Sequence, residues 1–368
     1  MNRTYKCRIY PNKIQRELMA KTFGCCRFVY NYYLDKRMRL YKESKTSFGF
    51  KECCKDLTEL KKKNPWLCEP DKCSLQNALR DLDTAYVRFY KGLGNFPKFK
   101  TKRTHRYSYR TQNYNKGKGI RICGNRIKLP KLGWVRIRDK RFPTGLILNA
   151  TISQFPDGRY YVSLCCDEPD SMPMPKTYKN IGIDLGIKYY IVTDDGSKYE
   201  NPKYLDKSLS KLSRLQKELS RKSIGSSNWD KSRLRLARLY SKISNQRDDY
   251  INKLSKQFII ENDIICVEDL VPHNLVKNRC MSKNIIDASW SKFVHQLQYK
   301  AEWYGKKVVK VDKFFPSSQL CSDCGYKNKD LRNLNVRVWT CPSCGVKHDR
   351  DVNAAKNILY RGISQLTL

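Results

Sequence analysis

The chain has 368 residues, enough for two or three domains with separate cores. Its 74 Lys and Arg outnumber 35 Asp and Glu, a formal net charge of +39 that few globular proteins carry without a polyanion to bind. Nucleic acid meets that demand, because its phosphates release counterions on contact with basic side chains, whereas a membrane partner would need an anchor or lipid signal that is not visible.

The opening MNRTYKCRIYPNK has no apolar signal-peptide core, and no apolar run approaches bilayer-spanning length. A soluble cytoplasmic, nucleoid-associated, prokaryotic protein is expected. Residues 1–12 alternate as a strand, with Tyr5, Cys7 and Ile9 on one face and Pro11 at its end. A helix is expected from about Lys13, and a second over FGCCRFVYNYYLDKRMRLYKE. A third runs from Cys73 to Tyr90, where Leu75, Leu79, Leu82 and Tyr86 recur at helical spacing. The cationic NFPKFKTKR breaks it. From Tyr107 to about Glu168, short alternating segments predict a small antiparallel barrel or sheet. The proline-spaced DEPDSMPMPK at 167–176 reads as a linker.

A second unit begins near Asn180. NIGIDLGIKYYIVTDDGSKYE predicts strand, tight turn, strand. Residues 205–262 predict two antiparallel helices turning at GSSNW, with Leu209, Leu212, Leu215 and Leu219 on one face and many cations elsewhere. DIICVEDL at 263–270 reads as a buried strand ending in acids. A helix over Trp290 to Tyr304, a strand at KVVKVD, a cysteine-rich segment and a last helix complete the chain. Of the 16 cysteines, twelve are scattered or adjacent, such as Cys25 and Cys26, and are expected to be reduced, mostly small core residues.

The remaining four form two CxxC pairs sixteen residues apart: Cys321 with Cys324, and Cys341 with Cys344. That spacing predicts a four-cysteine ribbon around one structural Zn²⁺, and the glycine after each pair lets backbone amides turn toward sulfur. Asp184 lies inside an apolar strand, and Glu268 ends another; each costs several kcal/mol to bury unless compensated. Asp351 opens the last helix, where plain N-capping is the simpler role. Together, an Asp on a strand entering a hairpin, a Glu ending a later strand and an Asp opening a C-terminal helix match the carboxylate layout of the ribonuclease H-like fold. Three such acids can hold two Mg²⁺ or Mn²⁺ ions for phosphodiester displacement. An actin-like ATPase shares the DLG hairpin but needs a second glycine-rich phosphate loop, which is not found. No Walker motif is present. The four histidines, at 105, 273, 295 and 348, show no catalytic pairing, and His348 is expected to be structural.

These residues resemble TnpB, the transposon-associated RNA-guided nucleases related to compact type V CRISPR effectors. The matching segments are GIDLG at 182–186, VEDL at 267–270, PSSQLCSDCG at 316–325 and CPSCGVKHDRDVNAAKNIL at 341–359, with further likeness at 5–31, 75–86 and 96–103. Gln319 and Leu320 stand where many members have Lys and Thr. The resemblance implies a bilobed α/β protein: a wedge β-barrel from 1–12 and 104–176, a helical recognition domain at 13–103, a RuvC-like nuclease domain at 177–320 and 346–368, and the zinc ribbon at 321–345. It implies that Asp184, Glu268 and Asp351 are catalytic metal ligands. It also implies a guide RNA from the transposon end, double-stranded target DNA cut beside a short adjacent motif, and leaves open a separate transposase of the same element. On that reading Gln76 and Asn77 would face the adjacent motif, while Lys98, Lys100, Lys102 and Arg103 would meet phosphates. An RNA-guided repressor and a DNA transposase are the alternatives; the intact acids argue against the first, and the absence of a tyrosine nucleophile beside paired histidines against the second.

Overall fold

The computed structural model describes residues 1–103, 105, 107–114, 119–138, 142–270, 279–333 and 335–367; His273 lies outside them. The chain divides into two compact units, Met1–Pro169 and Asp170–Leu368. No helix among the described residues is long and apolar enough to cross a membrane.

In the first unit, strand β1 (Asn2–Tyr10) leads through Pro11 into helix α1 (Lys13–Ser44). Asn12 starts that helix: its side chain accepts from Gln15 N at 2.8 Å, while Gln15 Oε1 accepts from Asn12 N at 3.1 Å. The two helices expected here are one. Gly24 costs about 1 kcal/mol in a helix interior, but the buried stripe of Met19, Phe23, Cys26, Tyr30 and Tyr33 runs straight across it and holds the helix continuous. Helix α2 (Phe50–Lys63), which the sequence reading had not assigned, buries Cys53, Leu57 and Leu60 at spacings of four and three. Helix α3 (Lys72–Tyr90) buries the expected Leu75, Leu79, Leu82 and Tyr86.

Strands β2 (Tyr107–Gln112), β3 (Arg121–Cys123), β4 (Arg126–Leu129), β5 (Gly133–Ile137), β6 (Leu146–Gln154) and β7 (Tyr160–Asp167) join β1 in one antiparallel sheet of order β2-β6-β7-β1-β5-β4-β3. The expected wedge barrel is not formed: no sheet closes among the described residues, and β2 and β3 remain the two edges. Alternation announces strands, but closure depends on tilt and stagger, which alternation does not encode.

The second unit holds a five-stranded sheet: β8 (Asn180–Leu185), β9 (Tyr189–Thr193), β10 (Lys198–Glu200), β11 (Ile264–Glu268) and β12 (Lys307–Val311), in the order β10-β9-β8-β11-β12. β8, β11 and β12 run parallel, and β9 returns antiparallel beside β8. Between them come α4 (Leu209–Ser220) and α5 (Ser227–Glu261), the expected hairpin, then α6 (Arg279–Ala288) and α7 (Trp290–Tyr304). One sheet face, with Ile183, Leu185, Ile265 and Val267, buries against Phe258 of α5 and Phe293 and Leu297 of α7. The opposite face receives the last helix, α8 (Arg350–Thr367), through Cys266, Val311 and Ile358. The approach is close. A Cβ at Gly182 would lie 2.1 Å from Ala355 O, and one at Gly362 would lie 2.3 Å from Cys266 Sγ. At the foot of β11, Asp263 accepts from Thr177 N, Tyr178 N and Lys306 Nζ at 2.5–3.0 Å. The Lys306 contact, then these amides, hold its carboxyl well below the usual range.

Candidate metal centres

Asp184 and Glu268 stand on neighbouring parallel strands. Ile183 pairs with Val267 as the last pair of the ladder between β8 and β11, so each acid follows that pair and both stand at the same end of the sheet. Alternation turns Ile183 and Val267 into the apolar layer and sends Asp184 and Glu268 to the face carrying Gly182 and Cys266. α8 covers that face, with Ala355 over Gly182. Asp351, one turn earlier on the same helix, is thereby brought toward the strand ends.

The electrostatics register this convergence. Burial first, then the charges of Glu268 and Asp351, push the Asp184 carboxyl up to about 7, against a smaller opposing pull from Arg350. Burial alone pushes Glu268 up to about 7. All three acids are nonetheless half-buried, leaving an accessible side for a ligand. Asp351 is not spent on capping: Asp349 does that, accepting from Asp351 N at 3.0 Å and Val352 N at 3.3 Å. Asp351 instead accepts from Arg337 Nη1 at 3.2 and 3.4 Å through its two oxygens. Arg337, Asp349 and the helix amides below were not singled out from sequence. The only signal was polar residues at helical spacing in an otherwise apolar stripe.

The carboxylates are looser than the thiols. Among the described residues, the groups of three or more potential ligands drawn within 4.8 Å of one another are Cys321, Cys324, Cys341 and Cys344, and the overlapping Cys321, Asp323 and His348. Two edges of the thiol cluster measure 3.7 Å (Cys321 to Cys344) and 3.6 Å (Cys324 to Cys341). A tetrahedron of Zn–S bonds of about 2.3 Å has edges of about 3.8 Å, so the thiols fit a structural zinc ion. Each CxxC turn closes the same way, Gly325 N donating to Cys321 O and Gly345 N to Cys341 O, both at 2.9 Å. Both glycines have positive φ, 74° and 73°, which a Cβ would strain. His348 lies with Nε2 3.1 Å from Cys321 Sγ and its ring 4.8 Å from that of Trp339. The acids, in contrast, offer only oxygen, the donor set of Mg²⁺ or Mn²⁺, and the burial that raises Asp184 and Glu268 is a cost that a divalent cation would offset.

The residues expected to meet nucleic acid separate. Gln76 is exposed beside a cavity of about 230 Å³ lined by Phe50, Arg80 and Gln112. Asn77 is buried, and its amide donates to Arg110 O at 3.0 Å, so it ties α3 to β2. Lys98, Lys102 and Arg103 are exposed. Lys100 is exposed as a residue, but its ammonium sits 4.0 Å from the Tyr30 ring centre, and desolvation lowers its pKa.

The family model described as "Probable transposase" matches residues 163–279, "Cas12f1-like, TNB domain" matches 290–358, and "Helix-turn-helix domain" matches 1–46. That last stretch is here a strand and one unbroken helix. A Streptomyces pristinaespiralis protein named "Putative RNA-guided DNA endonuclease" is 36% identical over 99% of this chain and 90% of its own length. An Escherichia coli K12 protein, "Putative RNA-guided DNA endonuclease InsQ", is 32% identical over 97% of this chain and 92% of its own. The cryo-EM structure of a Cas12f1–sgRNA–target DNA complex contains a chain of similar fold, with a TM-score of 0.52, 14% identity, and coverage of 97% of this chain and 98% of that one. With full-length relatives above 30% identity, the chain belongs to the TnpB family, that of the proteins named RNA-guided DNA endonucleases.

Proposed function

We propose that the chain is an RNA-guided DNA endonuclease of a transposable element, cutting double-stranded DNA beside a short adjacent motif, with Asp184, Glu268 and Asp351 as its catalytic metal ligands in a ribonuclease H-like, RuvC-type domain. The observation that supports the reading is the placement of Asp184 and Glu268 at one end of adjacent parallel strands under the helix that opens with Asp351, where burial first, and then the charges of Glu268 and Asp351, raise the Asp184 pKa. On this reading 177–320 and 346–368 make the nuclease domain and 321–345 its zinc ribbon. Residues 13–103 recognise nucleic acid, and 1–12 with 104–176 form the wedge. The three carboxylates would hold two Mg²⁺ or Mn²⁺ ions, which would supply Lewis acidity for phosphodiester cleavage. Arg337, already at Asp351, places a fixed cation where the phosphate would enter. Guide pairing reads the sequence, so the protein needs chiefly cationic surface, which the exposed Lys98, Lys102 and Arg103 supply in the first unit and the basic α4–α5 hairpin supplies in the second. Gln76 faces the adjacent motif; Asn77, already engaged, holds the helix beneath it.

The test uses protein purified with its RNA, target duplex and Mg²⁺. Asp184→Ala is expected to hold RNA and DNA and to leave the duplex uncut. Cleavage at the parent rate would overturn the assignment. Binding without cleavage by the parent itself would favour a guided repressor, and joined DNA ends a transposase.

A further inference from the structure

We infer that Asn353 and Asn357 are positioning residues for the acid site: they lock the cysteine knuckle onto the first turns of α8 and thereby set where Asp351 presents its carboxylate. This rests on the nuclease reading above. Both amides are buried, at 1% and 6% exposure, on one face of α8 beside Ala354 and Ile358. Asparagine is a poor helix former, and a buried amide costs free energy unless it is bonded, so its presence twice at this spacing needs an explanation. The bonds supply it. Asn353 Nδ2 donates to Leu320 O at 2.6 Å, and its Oδ1 accepts from Ser322 N at 2.9 Å. Asn357 Nδ2 donates to Ser317 O and Leu320 O, both at 2.8 Å. The two residues therefore grip the main chain on either side of Cys321, a proposed zinc ligand.

Only a neutral amide can do this. Asn353 must donate to one backbone group and accept from another, as a paired strand would; an aspartate in its place would set an anionic oxygen against Leu320 O. From the other side of the knuckle, Arg350 Nη1 donates to Asn333 O at 2.8 Å and Arg337 reaches the Asp351 carboxylate. Asp351 is two residues from Asn353 on a continuous helix, so a shift of the knuckle is transmitted to its carboxylate. Small displacements of a catalytic group cost rate steeply.

The test compares Asn353→Ala, Asn357→Ala and Ser322→Pro in the protein–RNA complex. Ser322→Pro copies the Cys341-Pro342-Ser343-Cys344 turn; it removes the N–H that Asn353 accepts, together with a buried hydroxyl that makes no hydrogen bond. Zinc content is expected to stay at one ion per chain, and target binding within about twofold of the parent. Mn²⁺ affinity, read by electron paramagnetic resonance of free Mn²⁺, is expected to fall about tenfold, in the range seen for residues supporting metal ligands. Cleavage at limiting Mn²⁺ is expected to slow by about 10- to 100-fold and to recover in part at high Mn²⁺. A purely structural role would lower melting temperature without moving Mn²⁺ affinity. If Asn353→Ala loses zinc or unfolds, Ser322→Pro decides: unchanged Mn²⁺ affinity and metal dependence there overturn the inference. In that event an inert Asp351→Ala leaves the nuclease reading standing, whereas an Asp351→Ala that cuts like the parent overturns that reading itself.

Discussion

The thiol knuckle and the carboxylate site lie in one unit but are assembled in opposite ways. The four thiols fall within residues 321–344, in two turns that each close on their own glycine. The three acids are spread over residues 184–351 and meet only because two parallel strands and a helix stack. The knuckle is thus a local device whose thiols fit a metal ion, while the acid site is a product of the sheet and carries repulsion that the fold must bear. Their junction, at Asn353, Asn357 and Arg337, is where local geometry is passed to the global site.

That contrast is open to attack from each side. The largest effect is expected from Cys321→Ser or Cys341→Ser. A structural zinc contributes about 10 kcal/mol to the folding of such a motif, so either variant should lose zinc, lower the melting temperature and lower solubility; retention of parental melting without metal would show the knuckle to be dispensable. Next, Gly182→Ala leaves every acid in place but drives a Cβ against Ala355 O. Overpacking of this kind costs about 3 kcal/mol, read as a shift in the urea midpoint, and it should also impair cleavage by lifting α8 and Asp351. Full activity would mean the convergence does not depend on that close approach.

Asp184→Asn works in the other direction. Without divalent ions it removes repulsion with Glu268 and Asp351, and should raise stability by about 1 kcal/mol after screening, even as it abolishes cleavage. A lower melting temperature would show the acids to be stabilising. The smallest effect concerns the far end of β11. The Asp263 carboxyl is depressed by Lys306 and the Thr177 and Tyr178 amides. Its contribution is therefore fully present above the unfolded carboxylate range and is lost as pH falls below it. The gap in denaturant midpoint between the parent and Asp263→Asn should be full at pH 7 and narrower at about pH 3; a pH-independent gap would remove Asp263 as a charged anchor.

Where the chain carried its own signal, structure followed it. Helix α7 occupies the stretch expected to be helical, Trp290 to Tyr304. The helix α2 pattern of Cys53, Leu57 and Leu60 was present but passed over between stronger segments. The break expected ahead of Phe23 did not occur, because the apolar stripe on α1 runs on across that point. Gln76 and Asn77 looked alike as neighbouring amides, and only the packing of α3 on β2 separated an exposed residue from a buried tie.

By itself the sequence determined the cationic character, the strand and helix periods and the knuckle, because charge adds over the chain and turn geometry spans few residues. Only the tertiary structure decided that the first sheet stays open, that Asp349 caps α8 so that Asp351 can face Arg337, and that two asparagines join knuckle to helix. Each of these depends on which distant backbone groups end up opposite one another, a question of packing that no local pattern of side chains encodes.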